Sequence, residues 1–170
     1  MRVVMNGVEI DKAVDELAVS VLSHYRGGEE LLVMPVLHAA MRFGADLMRK
    51  LPEGRTRLCA AVARSYVENA NSGIVSAEVL GPRSLVAGAN VVVADVIYDT
   101  GATMRAVTRL LRDMGARSVV TCCLVRRFRP GNEQPDLSAR LFHGDEFLVG
   151  YGLDDDGLHR GYPAICAKQG

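Results

Sequence analysis

The sequence predicts an α/β chain with a twisted, mostly parallel sheet flanked by helices. Short continuous apolar runs, which read as strands buried on both faces, alternate with segments of helical periodicity. The strongest of these runs, Val91 to Ile97, passes through an Asp-Thr-Gly turn directly into a helix. In open parallel sheets such strand ends are where ligands bind. The chain has 170 residues, 49% hydrophobic and 24% charged, a balance that excludes a disordered tail, a collagen-like fibre and a disulfide mini-protein. That length suits one domain, expected over residues 1–170.

The elements follow in order. Asp11 to Tyr25 places Val14, Leu17, Ala18, Val21 and Leu22 at helical spacing, with Asp11 as N-cap and Gly27-Gly28 as the stop. Leu31 to Val36 reads as a buried strand, Ala39 to Leu51 as a helix closed by Pro52, and Leu58 to Ala63 as a strand. Tyr66 to Ser76 is polar and small, so a mobile loop is expected. Val91 to Ile97 is a strand. Thr103 to Met114 is a helix with Val107, Leu110, Leu111 and Met114 on one face. Ser118 to Val125 is another buried strand, and Phe147 to Tyr151 a short one. No internal repeat, linker or low-complexity tract interrupts this order.

Twenty basic residues cancel twenty acidic ones, so the formal net charge is zero. A protein that lives on nucleic-acid phosphates normally carries a basic surplus, so no nucleic-acid partner is expected. No apolar run approaches the ~20 residues of a membrane span, and Met1 to Ile10 has no signal-peptide pattern. The expected location is the cytoplasm, with no membrane partner. Cys59, Cys122, Cys123 and Cys166 show no Cys-x-x-Cys or zinc-finger spacing and read as reduced, buried thiols. Cys122 and Cys123, adjacent in a strand, should face opposite sides of the sheet.

Chemistry concentrates in Asp95 to Thr103. Backbone N–H groups at a helix N-terminus, the hydroxyls of Thr100 and Thr103, and a glycine allowing close approach make a phosphate cradle. The same residue types also serve as ordinary helix caps, so turn chemistry alone leaves both readings open. The glycine spacing and Lys of a Walker loop are absent, and so is a Gly-x-Gly-x-x-Gly pattern. Asp154-Asp155-Asp156-Gly157 lacks the alternate spacing and distal Glu of a calcium loop.

Asp99-Thr100-Gly101-Ala102-Thr103, behind an acid-bearing apolar strand, resembles the phosphoribosyl pyrophosphate signature of the type I phosphoribosyltransferases. The resemblance spans nearly the whole chain and narrows to the hypoxanthine-guanine phosphoribosyltransferases. Leu37-His38-Ala39, with Phe43, Ala45-Asp46-Leu47 and Leu51, is similar to their pyrophosphate loop and the following helix. Ser65-Tyr66 and Ser72-Gly73 resemble their closing loop. Val125-Arg126-Arg127 sits where they hold a base-recognising Lys. Pro135-Asp136, Phe147 to Asp154, and Arg160 resemble their purine-binding C-terminal segment, which other type I families lack.

The resemblance implies the type I phosphoribosyltransferase fold, with a small hood formed by the chain ends. It implies a purine base and phosphoribosyl pyrophosphate as ligands, Mg2+ as cofactor, and a homodimer or homotetramer. By the same resemblance Asp99 is the general base and Arg160 contacts the leaving pyrophosphate. Asp95, Val96 and Asp99 to Thr103 bind phosphoribosyl pyrophosphate, together with Leu37, His38, Ala39, Ser65 and Tyr66. Arg126, Phe147, Leu148 and Asp154 surround the purine: Phe147 stacks on it and Arg126 donates to its 6-oxo oxygen. Asp154 and Asp95 hold the metal. The Leu37-His38 peptide is expected to be strained, as a cis bond.

Three departures accompany the resemblance. The family's adjacent Glu-Asp pair is Asp95-Val96 here, its Leu-Lys-Gly loop is Leu37-His38-Ala39, and its Lys is Arg126. A valine cannot accept a hydrogen bond from ribose, so weak affinity for phosphoribosyl pyrophosphate is expected, with Val96→Asp tightening it. The implied activity is 6-oxopurine salvage, hypoxanthine or guanine giving IMP or GMP plus pyrophosphate. The alternatives are a catalytically weakened nucleotide sensor or regulator on the same fold, and an enzyme acting on xanthine.

Overall fold

The computed structural model describes residues 1–25, 28–67, 73–131 and 133–168. Strand β1 (Arg2–Met5) leads into helix α1 (Gly7–His24), then β2 (Leu31–Leu37), α2 (Met41–Lys50), β3 (Thr56–Leu58), β4 (Ala61–Val67) and β5 (Gly73–Val79). A short helix α3 (Arg83–Val86), β6 (Asn90–Tyr98), α4 (Ala102–Asp113), β7 (Ser118–Arg127), β8 (Leu137–Phe142), β9 (Phe147–Val149) and β10 (Ile165–Lys168) complete the described chain.

The main sheet has seven strands in the order β5-β4-β2-β6-β7-β8, with β3 also paired to β2. All of its pairings are parallel except β4 with β5. The expected mostly parallel sheet flanked by helices is therefore present. A second, antiparallel sheet β1-β10-β9 joins the first strand to the last two and forms the expected hood.

Helix α1 starts earlier than the expected Asp11. Its cap is Asn6: the Glu9 N–H donates to Asn6 Oδ1 at 2.9 Å, and the Asn6 N–H donates to Glu9 Oε2 at 2.8 Å. This reciprocal box satisfies two otherwise orphaned donors, so it outcompetes Asp11, which sits inside the helix and pairs with Lys50. The single strand expected over Leu58 to Ala63 is two, because β3 and β4 share one edge of β2 and separate at Cys59-Ala60.

The expected loop over Tyr66 to Ser76 is corrected at both ends. Tyr66 and Val67 close β4, and Gly73 to Ser76 open β5, in a continuous antiparallel register that pairs Ser65 with Val75 and Tyr66 with Ile74. Polar residues suit an edge hairpin as well as a loop, which is why composition misled. The middle of the expected loop, residues 68–72 including Ser72, lies outside the described residues.

The apolar alternation of β6 feeds two cores. Val92, Ala94 and Val96 face α1 and α2, in a cluster with Phe43, Leu47 and Leu17. Val91 and Val93 face α4, packing with Met104, Val107 and Leu111. Cys122 falls in the first cluster and Cys123 in the second, the opposite facing expected of neighbours in a strand. All four cysteines are free and buried. No described helix is long and apolar enough to cross a membrane.

Candidate functional site

The C-terminal end of β6 delivers Asp95 and Asp99 to the top of the sheet, where the chain turns into α4. Gly101 is the N-cap of α4 at φ +76, a left-handed conformation that favours glycine. A Cβ there would lie 2.3 Å from the Tyr98 hydroxyl and 2.8 Å from an Arg105 guanidinium nitrogen, so both side-chain ends would have to move, on top of the strained φ. Thr100 Oγ1 accepts from the Ala102 N–H at 3.3 Å, and Arg105 donates to the Thr100 carbonyl at 3.0 Å. No side chain caps the helix through Gly101. The positive dipole end of α4 borders a concavity of about 90 Å3, lined by Asp95, Asp99 and the turn Thr100 to Thr103.

Asp95 is half-buried, and its Oδ1 accepts from the Val96 N–H at 2.7 Å. Burial dominates over that hydrogen bond and pushes its carboxyl up to about 7. Val96 contradicts its expected place. Its side chain is fully buried in the core beside α2, because neighbouring strand residues face opposite sides of the sheet. It has no surface to offer a ribose.

Asp99 is held by two arginines. The Arg129 Nε donates to Asp99 Oδ1 at 3.0 Å, and the Arg127 Nε lies 3.0 Å from Oδ2, a charge contact too bent to be a hydrogen bond. Arg127 is buried: it donates to the Gly144 and Glu146 carbonyls and lies 5.2 Å over the Phe142 ring. Arg129 also donates to Asp145 Oδ1 at 2.5 Å. Arg126, half-buried, lines a cavity of about 230 Å3 with Asp99, Arg127 and Arg129.

A second group of residues crosses from the hood. The Leu37-His38 peptide is cis, as expected. His38 is exposed and Ala39 half-buried. Gly152, at φ +99, rests on Ala39 so closely that a Cβ would lie 2.0 Å from the Ala39 carbonyl oxygen. Next to it the Tyr151 hydroxyl donates to Asp46 Oδ2 at 2.5 Å, and Arg42 sits 4.6 Å over the Tyr151 ring. Burial raises the Tyr151 hydroxyl far above its ordinary value, so it stays a donor. The loop 37–39, helix α2 and the segment around Tyr151 are thereby clamped together.

Arg160 donates to the Gly152 carbonyl at 2.7 Å and pairs with Asp154 Oδ1 at 2.9 Å, while Asp154 Oδ2 accepts from the Gly157 N–H at 2.9 Å. Phe147 is 56% exposed on β9, an aromatic face free for stacking, whereas the Leu148 side chain is buried in the core. Its strand pairs with β10 through Ala167, leaving only its backbone as a candidate for contact. Ser65 and Tyr66 stand in β4 rather than in a loop.

The fit of a divalent ion can be tested on the donors. Mg2+ is usually held by one or two carboxylates plus substrate phosphates and water. Asp154, a half-exposed carboxylate fixed by Arg160 and Gly157, fits that need. Asp95 has one oxygen accepting from the Val96 N–H, and its part in a metal shell rests on the resemblance alone. Among the described residues no group of three or more His, Cys, Asp or Glu gathers, so substrate oxygens would complete any magnesium shell.

Reading the sequence missed Arg129, Asp145 and the Tyr151–Asp46 clamp. The visible signal was three arginines, Arg126, Arg127 and Arg129, crowded at the end of a buried strand beside Asp99.

A family model of the phosphoribosyl transferase domain matches residues 6–156. The hypoxanthine-guanine phosphoribosyltransferase of Bacillus subtilis is 30% identical over 171 residues, covering 96% of this chain and 91% of the relative. That of Mycobacterium tuberculosis is 27% identical over 164 residues, covering 93% and 81%. Among solved structures, hypoxanthine phosphoribosyltransferase of Trypanosoma cruzi superposes with a TM-score of 0.87 at 24% identity, covering 99% of this chain and 91% of that one. The chain therefore belongs to the phosphoribosyl transferase domain family.

Proposed function

We propose that the chain is a purine salvage phosphoribosyltransferase, acting on hypoxanthine or guanine and phosphoribosyl pyrophosphate to give IMP or GMP and pyrophosphate. The carrying observation is the seating of Gly152 on the Ala39 carbonyl. It sets the C-terminal purine-type segment against the pyrophosphate-type loop, as the transfer between two substrates needs.

In this reading the N–H groups opening α4 and the hydroxyls of Thr100 and Thr103 hold the 5-phosphate. Asp95 accepts from a ribose hydroxyl, and Leu37 to Ala39 with Arg160 hold the pyrophosphate. Phe147 stacks on the purine and Arg126 donates to its 6-oxo oxygen, a planar fork replacing an ammonium. The bond from ribose C1′ to the pyrophosphate oxygen breaks as the bond to purine N9 forms, and Asp99 accepts the proton lost from N7. Mg2+, with Asp154 at its edge, would supply positive charge to the phosphate oxygens. Residues 1–170 act as one domain, in the cytoplasm, as a dimer or tetramer, which sedimentation would measure.

The test is to incubate purified protein with phosphoribosyl pyrophosphate, Mg2+ and each of hypoxanthine, guanine and xanthine, and to follow mononucleotide by absorbance. Product from hypoxanthine or guanine is expected. Product from xanthine alone would move the specificity. Tight phosphoribosyl pyrophosphate binding without product from any purine would establish the sensor reading instead.

A further inference from the structure

Asp99 follows strand β6 on a turn, and its side chain is 43% exposed. A carboxylate so placed swings freely unless both oxygens are engaged. Here each oxygen faces a different guanidinium: Arg129 on Oδ1 and Arg127 on Oδ2, both at 3.0 Å. The two arginines are themselves held differently. Arg127 is buried at 6% and anchored by two backbone carbonyls and the Phe142 ring. Arg129 is 37% exposed and, among the described residues, is anchored apart from Asp99 by Asp145, which is 82% exposed. Ion pairs as exposed as those of Arg129 contribute little to stability. Their effect falls instead on where the Asp99 carboxylate points.

We infer that Arg129 is a positioning residue for the reaction: together with the fixed Arg127 it holds Asp99 toward the purine, and Asp145 holds Arg129. The inference rests on the reading of Asp99 as the base. Arg127 alone leaves one carboxylate oxygen unrestrained and the carboxylate free to turn about that contact. Arg129 closes the second point, and each oxygen keeps a further lone pair for a substrate proton. A base held in its working orientation accelerates the chemical step without adding affinity for either substrate.

The experiment measures steady-state rates with hypoxanthine, phosphoribosyl pyrophosphate and Mg2+ for the wild type, Arg129→Ala, Arg129→Lys and Asp145→Asn. Arg129→Ala is expected to lower kcat roughly tenfold while leaving both KM values within about twofold. Arg129→Lys should recover most of that loss. Asp145→Asn, which leaves Arg129 intact on an exposed loop, should lower kcat in the same direction by less. An Arg129→Ala enzyme with unchanged kcat overturns the inference. So does a loss confined to KM, or one that lysine fails to recover. A wild type inert with every purine sinks the reading of Asp99 and this inference with it, whereas an active wild type with an indifferent Arg129 sinks the inference alone.

Discussion

Asp95 and Val96 are neighbours in sequence with opposite fates, because a strand sends them to opposite faces. Val96 is buried beside Phe43 and Ala94. The expectation that Val96→Asp tightens phosphoribosyl pyrophosphate therefore reverses. A carboxylate there would be buried without a partner, and unfolding in urea should show a loss of about 3 kcal/mol or more. An unchanged midpoint would contradict the burial. Asp95 carries a pH signature. Its carboxyl rises from 3.8 unfolded to about 7 folded, so between those values the folded chain binds more protons than the unfolded one. Stability from this group is greatest below about 4 and falls as pH rises to about 7. Asp95→Asn should flatten that decline in thermal melts from pH 4 to 8, by at most ~4 kcal/mol. A decline of undiminished slope in the variant would assign it to other groups.

At the scale of elements, strong periodicity was legible and short edges were not. The apolar run of β6 and the Val107, Leu111 face of α4 announce themselves because both are packed against the core along their length. Strands β1, β8 and β10 are short, and β8 exposes most of its residues, so neither run length nor alternation marks them. The same holds in the site. Asp99 to Thr103 is contiguous and readable. The grip of Arg127 and Arg129 on Asp99 joins residues about thirty apart, which no local pattern encodes. The clamp between hood and sheet is an element-scale feature with its own test. Gly152→Ala would place a methyl 2.0 Å from the Ala39 carbonyl at a φ of +99, so the loop at Ala39 must shift. The KM for phosphoribosyl pyrophosphate should rise about tenfold or more, because displacement of about 1 Å at a binding loop is that costly. An unaltered KM would show that the loop does not bind that substrate.

For the whole molecule, the parallel sheet brings the β6 turn, the β2 loop and the β7 arginines to one end, and the hood folds over it from the chain's first and last strands. Each element is ordinary by itself. The β6 turn carries a carboxylate held in two directions, and the hood seats Gly152 on Ala39 of the β2 loop. The family's fold was legible in advance because its motifs lie in short contiguous stretches. The facing of Val96 and the hairpin at Ser65-Tyr66 were not, since they depend on register. The central claim is that this end of the sheet transfers phosphoribosyl groups with Asp99 as base. The most direct measurement compares wild type and Asp99→Asn for hypoxanthine turnover, and for IMP binding by calorimetry. Turnover should fall by ~10²–10⁴-fold while IMP affinity changes only a few-fold. A variant turning over at nearly the wild-type rate would remove Asp99 from the chemistry and contradict the account.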